Sequence, residues 1–325
     1  MGRFLVRRAI FMLGTLVLTT VLVFLLTRVL PGDVARVLLG REASPEAVAA
    51  KREELGLNDP LPVQYVTWAV DFVRGDWGET FASPRQEILP LVSERLVNSA
   101  RLGLLTLAIA LPLGILLGVI AGLSEGSLLD GAISIASLSV VSLPEFVTGL
   151  FLINTVALKW RDNPIADAVG WFPASSAVRA DASFREALPA LWLPALAATF
   201  VLLAYIVRLV RASVIEEMKK DYVRTAELKG LPARTVIVKH VLRNALIPTV
   251  TVIATSSGWL VSGLVVVESV FSYPGLGRLL LTTAIDNRDL PLIQAIVTVT
   301  AVIILLANLA ADLLYALLNP RIRLG

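Results

Sequence analysis

The sequence predicts an all-α integral membrane protein of six transmembrane helices with a large extracytoplasmic segment after the first. Two observations carry this. The mean hydropathy of +0.77, with only 17% charged residues, exceeds what the core of a soluble chain requires. The apolar residues also gather into six runs, at Ala9–Thr27, Leu102–Ser124, Gly131–Leu158 (interrupted only by Glu145), Ala187–Val207, Asn244–Val267 and Leu290–Ala311. Crossing about 30 Å of hydrocarbon takes about 20 helical residues. Hydrocarbon offers no partner to backbone polar groups, and none of the runs alternates with the period of a barrel strand, so the spans are helices. They fall at about 9–30, 102–124, 131–158, 187–207, 244–267 and 290–311 of a single membrane domain over 1–325.

The first run follows Arg3, Arg7 and Arg8. It is long for a signal peptide, and no small-x-small cleavage site follows at Val29-Leu30-Pro31, so it reads as a span. Residues 31–101 form the extracytoplasmic segment. Within it "SPEAVAAKREELGL" predicts a helix with Ser44 as N-cap, Pro45 at the first helical position and Gly56 at the end. "DPLPVQYVTWAVDFVRGDWG" predicts a second, amphipathic and aromatic helix, set either on the membrane surface or as a cap over the bundle.

Gly114, Gly118 and Gly122 share one face of the second span, and Ala254, Gly258 and Ser262 repeat the pattern in the fifth; both stripes let another helix approach closely. In the third span "VSLPEFVTG" places Pro144, which removes a backbone donor, beside the ionisable Glu145. Such a residue faces either a polar pathway or the solvated membrane edge. Ser142, Glu145, Thr148 and Ser256 are candidate pathway residues on depth alone. Pro274-Gly275 predicts an outside turn, Leu276 to Ile285 a short helix, and Asn319-Pro320 the stop of the last span.

Charge sets orientation. The net charge of +3 is too small to suggest nucleic acid as a partner. The stretch 208–243 holds nine Lys or Arg and reads as cytoplasmic, which puts both termini on the same side. The loop Ser124 to Asp130 would lie there too, yet carries Glu125 and Asp130 and no basic residue.

The chain has no cysteine and one histidine, His240, so thiolate metal sites and histidine clusters are unavailable. No phosphate loop, no H-E-x-x-H and no nucleophile with a matching base is present, so the chain is not itself an ATPase or another evident enzyme.

Between two apolar runs lies "DYVRTAELKGLPARTVIVKHVLRNALIP". Asp221 as N-cap and Gly230 as stop predict about two turns over Tyr222 to Lys229, and Pro232 starts a second helix. A helix this short needs something to pack on. Tyr222, Thr225, Ala226 and Lys229 share a face with small residues at its centre, suited to a docking partner rather than to bare solvent. A bundle with such a helix and no engine suggests an engine in another subunit.

The hairpin resembles the cytoplasmic loop signature of ABC importer permease subunits. Arg224-Thr225-Ala226 stands for E-A-A, Gly230 for the glycine, and His240 and Arg243 replace a later Ile and Pro, as in the dipeptide, oligopeptide and nickel branch. "RFLVRR", "LPGD", "LGLNDPLPVQY", "RGDWG", "SLPEF", "VESVFSYPGLGRLL" and "DLLYALLNPRIR" resemble the same branch, from about Arg3 to Arg323, and the long segment after the first span is similar to its B-type subunit.

The resemblance implies a type I ABC importer permease fold in a prokaryotic inner membrane. It implies a second homologous permease, two cytoplasmic ATPase subunits that bind ATP and Mg, an extracytoplasmic binding protein, and no cofactor in this chain. Asp221, Tyr222, Arg224, Thr225, Ala226, Glu227, Lys229 and Gly230 would form the coupling helix. Peptides are the first expected cargo, with nickel chelates, opines and oligosaccharides as alternatives. On the residues alone a secondary transporter or channel stays open, although Glu145 is nearly alone as an intramembrane charge. A receptor or assembly scaffold stays open too.

Overall fold

The computed structural model describes residues 2–29, 34–40, 43–81, 84–159, 172–179, 182–246 and 257–318. The chain divides into two compact units, one of residues 1–97 with 278–305 and the other of residues 98–277 with 306–325.

The chain opens with α1, Gly2–Val29, followed by α2, Val34–Leu39. Next, α3 spans Pro45–Glu54 with the expected start: Ser44 Oγ accepts from the Ala47 amide (3.2 Å) and Pro45 occupies the first turn. Its end is also as expected, since Gly56 takes a φ of +62°. The aromatic stretch forms α4, Leu61–Arg74, which packs on α1 through Phe24. The Phe24 ring meets Tyr65 at 5.6 Å and Trp68 at 6.2 Å, and the Thr20 and Tyr65 hydroxyls share a hydrogen bond of 2.9 Å.

α5 runs over Ile88–Leu123, starting well before the expected span. The third span is not one straight rod. It is α6, Leu128–Val141, and α7, Glu145–Leu152 with a π-helical end at Ile153–Leu158, meeting at 101°. Pro144 is the cause, because its ring disfavours helical backbone at Leu143 and it donates no hydrogen bond.

α8, Phe184–Met218, is 35 residues long. Ser183 and Glu186 form its capping box, in which the Glu186 carboxylate accepts the Ser183 amide at 2.8 Å. It runs past the expected span end at 207 and makes the first part of the basic stretch helical.

α9, Asp221–Leu228, and α10, Ala233–Thr235, follow, the latter continuing as π-helix over Val236–Val241. α11 is Ser257–Val270. α12, Leu276–Arg278, passes into π-helical Leu279–Ile285, and α13, Leu290–Leu318, is last.

Among the described residues four helices are long and apolar enough to cross a membrane, and the bent pair α6 and α7 makes a fifth if it is one span. The fifth expected span, 244–267, includes residues 247–256, which lie outside the described residues, as does Ala254 of the second stripe.

In the second unit α5 and α8 are in close contact along the first stripe. A Cβ at Gly114, Gly118 or Gly122 would stand 2.8, 2.6 or 2.8 Å from side-chain atoms of Ile206, Val210 or Val214. The stripe is therefore a helix packing face, as its spacing predicts.

Candidate functional site

The basic hairpin builds its own seat. Among the residues of α9, Val223 and Ala226 are buried, and they join a cluster with Val210 and Val214 of α8 and with Val236, Val241 and Ala245. That packing supplies what a two-turn helix lacks in isolation. At its start Tyr222 donates to Glu217 Oε2 (2.5 Å) and accepts from Asn244 Nδ2 (3.2 Å), tying the end of α8 to the stretch after α10. Burial pushes the Tyr222 hydroxyl up from its ordinary pKa. Lys220 pairs with Glu217, whose hydrogen bond holds the ammonium above the usual lysine range.

The ends differ from expectation by one residue. The N-cap is Lys220, without a side-chain cap bond, and Asp221 is the first helical residue, where its charge meets the positive end of the helix dipole. At the other end Gly230 takes a φ of +75°. Its amide donates to the Glu227 carbonyl (2.9 Å) and the Leu231 amide to that of Ala226 (3.3 Å), a Schellman closure.

The shared face of Tyr222, Thr225, Ala226 and Lys229 is split by this packing. Ala226 is buried and Tyr222 half-buried against the chain itself, so the free face is Arg224, Thr225, Glu227, Leu228 and Lys229. Leu228 is 81% exposed at its centre. A large apolar side chain so placed on a helix of otherwise charged and polar outward residues is the unpartnered feature of this surface.

α8 also holds the acidic loop before α6. Arg211 grips Asp130 with both a 2.5 Å and a 2.8 Å bond, and Lys219 pairs with Glu125 at 3.2 Å. Both carboxylates of the loop that lacks basic residues are thus matched by cations, Arg211 on α8 and Lys219 at its C-cap. The loop thus lies near the end of α8 from which α9 follows.

The four candidate pathway residues do not form one site. Ser142 is exposed and donates back to the Leu138 carbonyl (2.8 Å). Glu145, the first residue of α7, lies against α11: a Cβ at Gly263 would stand 2.8 Å from its Oε1. Thr148, one turn on, is buried with its hydroxyl unpaired. Ser256 lies outside the described residues. Among the described residues no group of three His, Asp or Glu is placed to hold a metal.

The sequence predicts the turn at Pro274-Gly275 after α11 but not the buried carboxylate that it encloses. Glu268, only 1% exposed, accepts from Ser99 Oγ (2.5 Å) and from the Gly277 amide (2.8 Å), and Ser99 Oγ accepts the Leu276 amide (2.8 Å). Tyr273 donates to the Asn98 carbonyl (2.9 Å) and Asn98 Nδ2 to that of Pro274 (3.0 Å). The stretch "ESVFSYPGLG" is wrapped around a buried carboxylate, which its quoted motif signals only through the glycines that make room.

Two family models match this chain. Residues 114–324 match the inner membrane component of binding-protein-dependent transport systems, and residues 1–87 match the N-terminal part of such membrane components. The chain belongs to this family. It is 36% identical over 323 residues to a probable peptide ABC transporter permease protein of Sinorhizobium fredii, covering 99% of this chain and 100% of the relative. It is 36% identical over 338 residues to the dipeptide transport system permease protein DppB of Escherichia coli, and 35% over 323 residues to the glutathione transport system permease protein GsiC of Shigella flexneri, with 99% of each chain covered. As a family member with several apolar helices, the chain is a multi-pass membrane permease. α8 and α9 both lie in the larger matched region.

Proposed function

We propose that this chain is the permease subunit of an ATP-driven, binding-protein-dependent importer of short peptides, contributing half of the translocation pathway. It has six spans, with residues 31–101 outside and both termini cytoplasmic. A second permease, two ATPase subunits and a binding protein complete the machine, and ATP and Mg bind to the ATPases. The peptide cargo rests on likeness to permeases named for peptides, dipeptides and glutathione.

The observation that carries the coupling role is the exposed Leu228 on a helix whose opposite face is locked to α8. Asp221, Arg224, Thr225, Glu227, Leu228, Lys229 and Gly230 meet an ATPase cleft, while Val223 and Ala226, braced by Tyr222, pass its movement to α8. Glu145 and Thr148 line the path, and Ser142 and Ser256 are candidates for it on sequence position alone. ATP binding and the loaded binding protein favour the outward-open state by differential contacts.

The test is co-purification from membranes expressing all subunits. Leu228→Asp is expected to release the ATPase and abolish peptide-stimulated ATP hydrolysis; an intact, stimulated complex would sink the coupling role.

A further inference from the structure

The first unit contains a cavity of about 480 Å³ formed by the stretch after α1 together with the ends of α1 and α13. Its aromatic wall includes Trp68 and Trp77. Trp77 stacks on Phe72 with ring centroids 4.4 Å apart, and its indole N–H donates to the Phe72 carbonyl (2.9 Å), so the wall is held in place.

Two half-buried charges of opposite sign, Arg28 and Asp71, line this space, yet neither makes an ion pair with the other or with another described residue. Arg28 lies over the Phe24 ring at 5.0 Å, and its Nε is buried without a hydrogen-bond partner. Gln64 is similar: its Nε2 donates to the Leu57 carbonyl (3.2 Å) and the Asp59 carbonyl (2.7 Å), which leaves its buried Oε1 as an acceptor with nothing to accept.

Buried polar groups are rarely left unmatched, and an unpaired charge withdrawn from water is costly unless something completes it. Opposite charges that share a cavity without joining call for a ligand that carries both, held apart. An unmatched donor and an unmatched acceptor in the same space fit a peptide unit, which offers one of each. Cavities of several hundred Å³ with an apolar wall and a few polar groups suit small ligands.

We infer that this cavity is a binding site for short zwitterionic peptides, with Arg28 receiving the terminal carboxylate, Asp71 the terminal ammonium, and the Trp68 and Trp77 rings the body of the chain. The site rests on the peptide-importer reading, and places a recognition step in this subunit apart from α6, α7 and α9.

The test uses the assembled transporter in detergent without its binding protein, with intrinsic tryptophan fluorescence as readout. The probes are alanyl-alanine, its C-terminal amide and its N-acetyl derivative. The wild type is expected to bind alanyl-alanine saturably and each blocked form about tenfold more weakly, as loss of a charge-assisted contact predicts. Arg28→Gln should erase the preference for a free carboxylate but keep that for a free amine; Asp71→Asn should do the reverse. Arg28→Lys, which keeps the charge, should retain the carboxylate preference and guards against a folding effect. Absence of saturable binding, or preferences unchanged in both variants, overturns the inference. A complex that imports peptide but shows no such selectivity overturns the inference alone. One that binds with this selectivity yet imports nothing supports it and counts against the importer reading.

Discussion

A Cβ on Gly118 of α5 would stand 2.6 Å from Cβ of Val210 on α8, and 2.9 Å from the Val207 carbonyl oxygen. Part of that contact is backbone, so it cannot relax by rotating a side chain. Gly118→Val should therefore lower the thermal unfolding temperature in detergent, by an amount equivalent to about 1–3 kcal/mol or more. Gly131→Ala on α6, where nothing lies within 4 Å, should leave the temperature unchanged or raise it slightly.

Asp130 and Arg211 join the loop before α6 to α8 by a two-bond ion pair. Asp130→Asn and Arg211→Gln should each destabilise the protein, and the double variant should cost less than the sum of the two, since each single change strands the other partner. A thermal-unfolding double-mutant cycle measures this, and additive losses would show the pair to be idle.

On the proposed coupling role, the two faces of α9 separate folding from docking. Val223→Ala removes buried methyls next to Val210 and Val236 and is expected to cost about 1–3 kcal/mol of stability. Leu228→Asp changes an exposed residue and should leave unfolding unaffected while releasing the ATPase and abolishing peptide-stimulated ATP hydrolysis. If Leu228→Asp instead melts the chain, the outward assignment of that face is wrong.

Glu268 occupies the space a side chain at Gly275 would need, with its Cδ 2.2 Å from the position of a Cβ there. Gly275→Ala should thus destabilise the turn strongly. Glu268→Gln, similar in shape, should be milder, weakening the charge-assisted bonds from Ser99 and the Gly277 amide. Protease sensitivity of the stretch from Ser269 to Gly277 reports both.

The parts of the fold legible in the sequence are those fixed by local chemistry. The Ser44 cap, the Gly56 and Gly230 closures and the spacing of Gly114, Gly118 and Gly122 each act within a few residues or along one helix face. The run Gly131–Leu158 reads as a single span although it contains Pro144, and the 101° break before Glu145 is not legible there, because the angle depends on what α6 and α7 pack against. The inner face of α9 differs from the face that spacing predicts for a similar reason. Helical spacing groups Tyr222 with Ala226, while the choice of Val223 and Ala226 for burial comes from Val210, Val236 and Val241, brought in from elsewhere in the chain. Pairings such as Asp130 with Arg211 join residues 81 positions apart and have no local signature.

α8 continues unbroken through Pro189 and Pro194 to Met218, about 52 Å at 1.5 Å per residue. A rod stitched by its own hydrogen bonds bends far more easily than it stretches. A pull on α9 is therefore carried along the axis of α8 to its distant Phe184 end, so the two ends can move together without any shared contact.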